Sequence, residues 1–575
     1  MTTKKIKRLP YGKSDFESIR TGNFAYVDKT QFIELLENEN NSFQFFIRPR
    51  KFGKSLFLST LTAYYDIRKA PEFKQLFGDL YIGKNPTCKK NFYSVLNFNF
   101  SGLNTRSEEK FVESFSSRVQ ETISRFFDNY RDFIKDADAT IQRIETENPG
   151  VGALDILFRK IESAKLKLFV IIDEYDHFAN DLIAIGSHQS KDFYHRMIEA
   201  NGLVRDFYEI LKIGTSTVLD RIFITGISPV MLDNLTSGFN IADNLTTKAR
   251  YNEMLGFTQA EVDALMIETG VDPAKIDIDM ASYYNGYLFS GDSENRLYNS
   301  TMVLFFFNLI INKEKPNALN IIDSNLKTDY GRLQQLMRNE KSRETLVEII
   351  KEGNITSNIV KEFPMELMYR DEYFISLLFY MGLLTIKENY FGIFRLQIPN
   401  YSIRTVFWEY LDRLVEDSSP DMTIDTRQLK EAIRNMAMKG DARTFIEYVS
   451  QNAFSKLSDI DLRRFDEKYI KILLLAYLFQ SNIYVTMSEF ETGDGYSDIF
   501  LQRSPHLPEI KYEWLLELKY LKAGDEKELP KAKKEAEEQL QRYMQAYRLT
   551  ERPNLKTAII VFIGKNRFEM YEGSN

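Results

Sequence analysis

The stretch that decides the fold of the N-terminal region is Phe46-Ile-Arg-Pro-Arg-Lys-Phe-Gly-Lys-Ser-Leu56. It follows an apolar, β-favouring run at 43–47 and opens a helical pattern. Backbone N–H groups at such a turn, together with the helix N-terminus, can cradle phosphate oxygens. Lys54 would add a positive charge at the β- and γ-phosphates, Ser55 would coordinate Mg²⁺, and Gly53 would let the backbone pass close to the ligand.

The loop departs from the usual phosphate-binding pattern at one position. Arg48 stands where the first glycine of G-x-x-x-x-G-K-[ST] is expected. A Gly-Lys-Ser tripeptide arises by chance in many chains, so a strand-to-helix turn that binds nothing is the alternative. The loop alone does not decide between these two interpretations.

A second element favours nucleotide binding. The apolar run Leu168-Phe-Val-Ile-Ile172 ends in two acids, Asp173 and Glu174. Asp173 would lie beside Mg²⁺, and Glu174 would orient or deprotonate the attacking water; the alternative is a buried strand with a solvated acidic end. A later run ends in Thr225-Gly-Ile-Ser228, where Ser228 would sense the γ-phosphate. The loop and the acidic strand together predict binding of ATP with Mg²⁺, and its hydrolysis.

The order of β-favouring and helical patterns predicts an α/β protein. Runs at 43–47, 94–100, 168–172 and 221–225 are nearly continuous in apolar residues, as strands covered on both faces are. They predict a parallel sheet with helices on both faces, in the order of P-loop NTPases with an additional central strand.

From about 261 to 456 the pattern is mainly helical, with core helices at 371–385 and 400–416. The last region reads, in chain order, as helix 461–480, strand 483–489, a turn at 493–495, strands 496–502 and 512–519, helix 529–548 and a last strand at 557–563.

Composition narrows the chemistry further. A chain of 575 residues exceeds a single core, so we expect two or three domains. One cysteine and four histidines leave too little material for a Cys- or His-based metal site, so any metal should be a hard cation on carboxylates, with Mg²⁺ the obvious candidate.

The net charge of -7 argues against a generally basic, nucleic-acid-attracting surface. No run reads as a secretory signal or a membrane span, so we expect a cytoplasmic protein with no membrane partner.

Several motifs resemble the AAA-ATPase-like family of bacterial proteins that end in a PD-(D/E)XK nuclease-superfamily domain. The shared stretches are Tyr26-Val-Asp-Lys-Thr30, Arg48-Pro-Arg-Lys-Phe-Gly-Lys-Ser55, Ile172-Asp-Glu-Tyr-Asp176, Gly226-Ile-Ser-Pro229, Tyr284-Asn-Gly-Tyr287 and Leu297-Tyr-Asn299. The Arg-Pro-Arg loop is itself typical of that family, so Arg48 becomes a matching feature. The resemblance covers residues 1 to about 305 and, more loosely, the C-terminal region. It implies a nucleotide site composed of Arg48, Arg50, Gly53, Lys54, Ser55, Asp173 and Ser228.

The C-terminal region carries a second candidate site, formed by Asp498 and the strand Glu517-Leu518-Lys519. Side chains alternate along a strand, so Glu517 and Lys519 share a face, and an antiparallel strand bearing Asp498 would bring both carboxylates together. Two carboxylates suit Mg²⁺, which can activate a water that Lys519 would position or help deprotonate. The same residues also arise by accident on a solvated strand edge, but the order of helix, strands, helix and strand resembles the PD-(D/E)XK core.

Three further residues match positions that this superfamily uses. Glu467 lies on the preceding helix, and Gln539 and Tyr543 share a face of the following helix; for Glu467 and Tyr543 we favour ordinary surface positions. The segment 531–538 mixes both charge signs at helical spacing, which favours an ion-paired, solvated face over a DNA-binding patch.

These patterns predict three parts: an AAA-ATPase-like P-loop domain at 1–305, a helical linker region at 306–457 and a PD-(D/E)XK nuclease-like domain at 458–575. The leading hypothesis is an ATP-binding and ATP-hydrolysing protein coupled to Mg²⁺-dependent cleavage of nucleic acid, DNA rather than RNA. One alternative is a regulatory ATPase whose C-terminal domain binds nucleic acid or a partner without cleavage. Another is a nucleotide switch that barely hydrolyses ATP. An arginine finger from a neighbouring subunit would imply a homo-oligomer, although no arginine stands out as that residue.

Overall fold

The computed structural model of the 575-residue chain describes most of the sequence. The described residues are 6–185, 188–199, 202–230, 241–276, 278–314, 322–323, 339–418, 425–452, 454, 467–481, 483–491, 496–503, 507, 509–544, 549, 552–564 and 567–573. The predicted turn at 493–495 and the start of the predicted helix at 461–466 lie outside them.

The N-terminal region is built on a five-stranded parallel sheet. In chain order its strands are β1 Phe43–Ile47, β2 Ser94–Asn99, β3 Leu168–Asp173, β4 Leu219–Gly226 and β5 Asp243–Asn244. Their order across the sheet is β2-β3-β4-β1-β5, and every neighbouring pair is parallel. The carboxyl ends of parallel strands meet at one edge, so the loop after β1 and the acids ending β3 lie on either side of the end of β4. This confirms the predicted sheet; the two-residue strand β5 was not predicted.

Helices cover this sheet because their apolar residues repeat at helical spacing. Phe111, Phe115, Val119 and Ile123 recur every four residues along the longest of them and are buried. The α-helices of this region are Phe16–Thr21, Gln31–Glu37, Lys54–Tyr65, Phe73–Phe77, Tyr81–Lys84, Glu108–Asn129, Ala137–Glu147, Ala153–Ser163, His177–Ile185, His188–Ile198, Leu203–Gly214, Gln259–Thr269, Met280–Tyr284 and Ser300–Ile311.

The middle region is mainly helical, as predicted, but it also holds a small antiparallel sheet that the prediction lacked. Its strands are β6 Asn354–Ser357, β7 Thr385–Tyr390 and β8 Ile393–Gln397, in the order β6-β8-β7. The expected helix at 371–385 ends at Tyr380, because the chain turns at Gly382, whose φ is 78°. The described helices are Glu340–Glu352, Asp371–Tyr380, Tyr401–Ser418, Thr426–Lys439 and Arg443–Asn452.

The turn between β7 and β8 holds Phe391 in a backbone conformation that is unfavourable for phenylalanine. Phe391 and Gly392 form a two-residue loop with φ of 51° and 89°, the type I′ geometry that prefers Asn-Gly. The Phe391 side chain is 94% exposed. Because asparagine adopts the left-handed region at lower cost, Phe391→Asn should stabilise the hairpin by about 1 kcal/mol. Hydrogen exchange of the β7 and β8 amides should slow about fivefold, and Phe391→Ala, which keeps the unfavourable φ, should show no such gain. Unchanged exchange in Phe391→Asn would contradict this account of the turn.

The C-terminal region is a mixed five-stranded sheet. In chain order, one helix precedes its first strand and a second helix lies between its third and fourth strands. The strands are β9 Tyr484–Glu491, β10 Tyr496–Arg503, β11 Glu513–Leu521, β12 Leu555–Ile563 and β13 Arg567–Gly573. Their order is β13-β12-β11-β10-β9; β11 and β12 are parallel and the other pairs antiparallel. Helix Glu467–Gln480 precedes the sheet, and helix Leu529–Met544 makes the crossover between the two parallel strands. The predicted last strand is therefore followed by one more, β13.

No helix within the described ranges combines the length and apolar character needed to cross a bilayer. The longest, Glu108–Asn129, has a charged face along its whole length.

Candidate functional site

The phosphate-loop candidate occupies the turn between β1 and helix Lys54–Tyr65. Gly53 is the residue before the helix, with a φ of 93°, in the left-handed region that favours glycine. A Cβ added there would come no closer than 3.6 Å to Ser300 Oγ, so the backbone conformation, rather than lack of space, requires glycine. The helix N-terminus therefore begins directly at the end of the loop, as anion binding requires.

Lys54 reaches back across this loop. Its Nζ donates to the carbonyl oxygens of Arg48, at 2.9 Å, and Pro49, at 3.0 Å. Burial lowers the pKa of Lys54, while the charges of Glu174 and Asp173 oppose that shift. A buried ammonium held by carbonyl oxygens alone would gain from the negative charge of a phosphate.

Ser55 and Asp173 join the loop to the end of β3. Ser55 Oγ donates to Asp173 Oδ2 at 3.0 Å. Burial raises the pKa of Asp173, and Lys54 opposes this shift. Two oxygens that are adjacent ligands of an octahedral Mg²⁺ at about 2.1 Å lie about 3 Å apart, so this pair fits the ion in donor type and in spacing.

Glu174 follows directly, and its backbone adopts a φ of 56°. Its backbone N–H donates to Asp173 Oδ1 at 3.0 Å, which fixes the turn. Burial alone would raise the pKa of Glu174, but His177 and the positive charges of Lys54 and Arg50 lower it to about 2. Glu174 is therefore ionised at neutral pH and can accept a proton or a hydrogen bond.

A cavity of about 760 Å³ lies over the loop. That volume is within the range of small-molecule sites. Arg50, Gly53, Lys54, Ser55 and Glu174 are among the residues that line it. Distant parts of the chain line it as well, including residues 10–14, 25–27, 255–257, 300–301 and Leu304.

Backbone carbonyl groups of the loop are held by segments that sequence reasoning gave no role. Asn299 Nδ2 donates to Arg50 O at 3.4 Å, and the backbone N–H of Thr301 donates to Lys51 O at 3.2 Å. The backbone N–H of Gly256 donates to the carbonyl oxygen of the next loop residue, Phe52, at 3.1 Å. The motif ending in Asn299, quoted above only as part of a resemblance, thus contacts the phosphate loop directly and helps to fix it.

Arg48 was predicted to bind the nucleotide, and its side chain instead points away from the cavity. The guanidinium is fully buried between the rings of Phe46 and Phe289, at 4.1 Å from each centroid. It donates to the carbonyl oxygens of Thr246, at 2.8 Å, and Tyr251, at 3.0 Å. Arg48 therefore holds the loop to the chain that follows β5, and only its own carbonyl, through Lys54, takes part in the site. The physical reason is that two rings stack on the guanidinium and several carbonyl oxygens accept from its Nη1 and Nη2 atoms.

Ser228 also does not reach the cavity. Its Oγ donates to Asn180 Oδ1 at 3.1 Å and is buried. Its backbone N–H donates to Asp176 Oδ2 at 2.6 Å, and the Ile227 N–H donates to the same carboxylate. Asp176 thus ties the loop after β4 to the end of β3, and no contact with a γ-phosphate position follows from this arrangement.

In the C-terminal region the structure brings Glu517, Lys519 and Glu467 together. Lys519 Nζ lies 3.1 Å from Glu517 Oε1 and 3.5 Å from Glu467 Oε1. Glu517 is only 2% exposed, so its charge is placed in a largely desolvated position. Glu467, for which an ordinary surface position was favoured, instead contributes to this cluster from the helix that precedes the sheet.

The side chain of Asp498 lies outside the described residues, but its place on β10 is clear. β10 pairs antiparallel with β11, with Ile499 opposite Leu516. Asp498 precedes Ile499 and Glu517 follows Leu516, so the two acids occupy facing positions of neighbouring strands. No group of three or more His, Cys, Asp or Glu arranged to hold a metal occurs within the described ranges.

The crossover helix Leu529–Met544 shows which of its predicted residues are buried. Tyr543 packs into a core cluster with Phe500 and Leu515, rather than lying on the surface. The Gln539 side chain is half-buried on the same helix. The charged face is ion-paired as predicted, through the pairs Lys531–Glu535, Lys533–Glu537 and Lys534–Glu538.

The parallel sheet, the strand-loop-helix unit and the paired Ser55 and Asp173 define the N-terminal region as a P-loop NTPase-like fold. Two family models then match the chain. Residues 10–236 match the family described as Predicted AAA-ATPase, AAA-ATPase-like. Residues 465–572 match the PD-(D/E)XK nuclease superfamily. Both parts of the resemblance inferred from the sequence are thereby confirmed, and both support an enzyme.

Individual relatives add little about function. The chain is 28% identical over 306 residues to an uncharacterized protein in the vnfD 5′ region of Azotobacter chroococcum mcd 1. That match covers 52% of this chain and 52% of the relative, so it spans about half the length of each. A solved Walker-type ATPase of Pyrococcus abyssi shares 14% identity, covers 66% of this chain and 94% of its own, and has a TM-score of 0.37.

Proposed function

We propose that the N-terminal region binds ATP with Mg²⁺ and hydrolyses it. The observation that carries this proposal is the 3.0 Å contact of Ser55 Oγ with Asp173 Oδ2, in a loop whose Ser55 and buried Lys54 both line the cavity. Lys54 would bind the β- and γ-phosphate oxygens, and Ser55 and Asp173 would hold Mg²⁺. The ion would offset charge on the phosphates. Glu174 would orient the attacking water and accept its proton.

Arg50 completes the proposed nucleotide site. It lines the cavity, and its charge lowers the pKa of both Lys54 and Glu174, so it lies close to these two residues and would contact the γ-phosphate. Arginine suits this position because its planar guanidinium matches phosphate oxygens in a two-pronged geometry.

We further propose that the C-terminal region cleaves phosphodiester bonds of nucleic acid with Mg²⁺. Support comes from the facing positions of Asp498 and Glu517 on β10 and β11, and from Lys519 beside Glu517. The two carboxylates would hold the ion, which supplies an activated water and charge stabilisation. Lys519, already 3.1 Å from Glu517, would position that water or help to deprotonate it.

A second candidate function is a regulatory ATPase whose C-terminal domain binds nucleic acid or a partner without cleavage. It is favoured by one observation: Lys519 Nζ lies 3.1 Å from Glu517 and 3.5 Å from Glu467, so both acids already face a cation. In that case the Glu517–Lys519–Glu467 cluster would be a charge network within a binding domain.

Cleavage assays separate these functions. Labelled single- and double-stranded DNA and RNA are incubated with the protein, with and without Mg²⁺ and ATP. We expect Mg²⁺-dependent cleavage, with DNA preferred, that falls at least about 100-fold in Glu517→Gln, because the isosteric amide cannot hold the metal as a carboxylate does. Glu528→Gln, an exposed acid of the same domain, is the matched control and should cleave normally. Cleavage that survives Glu517→Gln would contradict the site, and binding without cleavage would favour the second function.

We place the ATPase activity before residue 305 and the cleavage activity after residue 457, with the helical middle region between them, as the predicted boundaries indicate.

We also propose a homo-oligomer in which an arginine of one copy completes the ATP site of the next. Specific ATPase activity that rises with protein concentration would support this assembly, and a constant specific activity would contradict it.

A further inference from the structure

His177 lies within the ATP cavity but has no role in the sequence motifs. It is the first residue of helix His177–Ile185, three residues after Glu174, and it lines the cavity together with Ser101. Its side chain is only 14% exposed. A polar ring in this position, next to the proposed catalytic carboxylate, calls for a chemical explanation.

One ring nitrogen is anchored to the loop after β2. The backbone N–H of Gly102 donates to His177 Nε2 at 3.0 Å, so this nitrogen acts as an acceptor. Asp181 Oδ2 lies 3.5 Å from the same nitrogen, a longer and weaker contact. Because a neutral imidazole carries one proton, accepting at Nε2 places that proton on Nδ1.

The anchor itself is fixed. The backbone N–H of Ser101 donates to Asn99 Oδ1 at 2.8 Å, and Arg118 Nη1 donates to Ser101 O at 3.2 Å. The His177 ring is thus held between its own helix and a loop in which both the N–H and the carbonyl of Ser101, the residue before Gly102, are hydrogen-bonded.

The protonated nitrogen faces the catalytic carboxylate. His177 Nδ1 lies 3.7 Å from Glu174 Oε2, and it is buried with no other hydrogen-bond partner within the described part of the chain. The backbone of Glu174 is fixed by its N–H bond to Asp173, so only the carboxylate needs to move for a hydrogen bond to form. Catalytic hydrogen bonds are often long without substrate and shorten when it binds.

We propose that His177 is a positioning residue for ATP hydrolysis. Its Nδ1–H holds one oxygen of the Glu174 carboxylate and so directs the other oxygen toward the attacking water. The inference rests on the proposed ATPase function and adds to it a link from β2, through Gly102 and His177, to Glu174. His177 itself touches neither the nucleotide nor the water in this scheme.

Variants at this position test the link. In His177→Phe the ring stays but the donor is lost, so we expect kcat to fall about 10- to 100-fold while KM and the Kd for ATP–Mg stay nearly unchanged. His177→Asn keeps an amide N–H close to the position of Nδ1 and should recover part of the loss. A His177→Phe enzyme with wild-type kcat, or one in which only KM changes, would overturn the proposal.

A second measurement does not depend on hydrolysis. ¹⁵N spectra of the histidine side chains, with the His177 signals identified by their loss in His177→Asn, should show His177 neutral with its proton on Nδ1 at pH 8. A proton on Nε2 would overturn the proposal even if the ATPase proposal holds. If the wild-type protein hydrolyses no ATP, the ATPase proposal fails separately, and the proton position still decides whether His177 can donate to Glu174.

Discussion

Glu174→Gln is expected to bind ATP–Mg as the wild-type protein does but to hydrolyse it about 10² to 10⁴ times more slowly. The amide keeps the shape of the side chain, so the cavity and its contacts with phosphate should persist. It has no negative charge to accept a proton from water, whereas Glu174, with a pKa of about 2, is a carboxylate at neutral pH. Steady-state kcat and an equilibrium Kd for ATP–Mg measure the two effects separately.

The matched control for this variant is Glu199→Gln. Glu199 is an exposed acid of the same region, directly after helix His188–Ile198. It should change neither kcat nor Kd. Hydrolysis at the wild-type rate by Glu174→Gln would remove Glu174 from the mechanism, and loss of ATP binding would show that its main contribution is to the nucleotide site.

Arg48→Met is expected to destabilise the N-terminal region by on the order of 3–5 kcal/mol. The variant keeps a long apolar side chain but removes every guanidinium donor. The carbonyl oxygens of Thr246 and Tyr251 would remain buried without these partners, and the stacking on Phe46 and Phe289 would be lost. The thermal midpoint of the domain, followed with and without ATP–Mg, measures the effect.

Arg50→Met provides the contrast, because Arg50 is half-buried and lines the cavity. It should weaken ATP binding with little change in the thermal midpoint. The reverse pattern, with Arg48→Met folding normally and losing only ATP affinity, would contradict the structural role and restore Arg48 to the nucleotide site.

Local patterns were enough to predict much of the fold. The strands that form the centre of the N-terminal sheet are apolar runs bounded by polar loops, and the predicted runs 43–47 and 168–172 match β1 and β3 to within one residue. Lys54, Ser55 and Asp173 could be predicted to meet because parallel strands end at a common edge.

Side-chain direction at Arg48 could not be predicted in the same way. The partners that bury it are Thr246 and Tyr251, 198 and 203 residues further along the chain, and Phe289, which lies still further away. The family resemblance showed that an arginine belongs at this position, but not that it faces away from the ligand. His177 was missed for a related reason, since its anchor, Gly102, lies 75 residues earlier.

The missed strands have a local explanation. β7 and β8 are short and are interrupted by the charged residues Lys387, Glu388 and Arg395, so they lack the apolar runs used to find the other strands. Gly382, directly after the preceding helix, was a usable signal, because glycine in the left-handed region commonly ends helices. In the C-terminal region, the pairing of Glu467 with Lys519 depends on how a helix packs on the sheet, which spacing along the chain does not reveal.

The most direct test of the central claim is an equilibrium titration of ATP–Mg into the wild-type protein and Lys54→Ala, with Lys110→Ala as an exposed control. Lys54 is a buried cation that lines the cavity, and removing a buried charge that pairs with phosphate costs about 2–5 kcal/mol. We therefore predict saturable binding to the wild-type protein and to Lys110→Ala, and affinity at least about 30-fold weaker in Lys54→Ala. Equal binding to all three proteins, or none to the wild-type protein, would contradict the assignment of this loop as an ATP site.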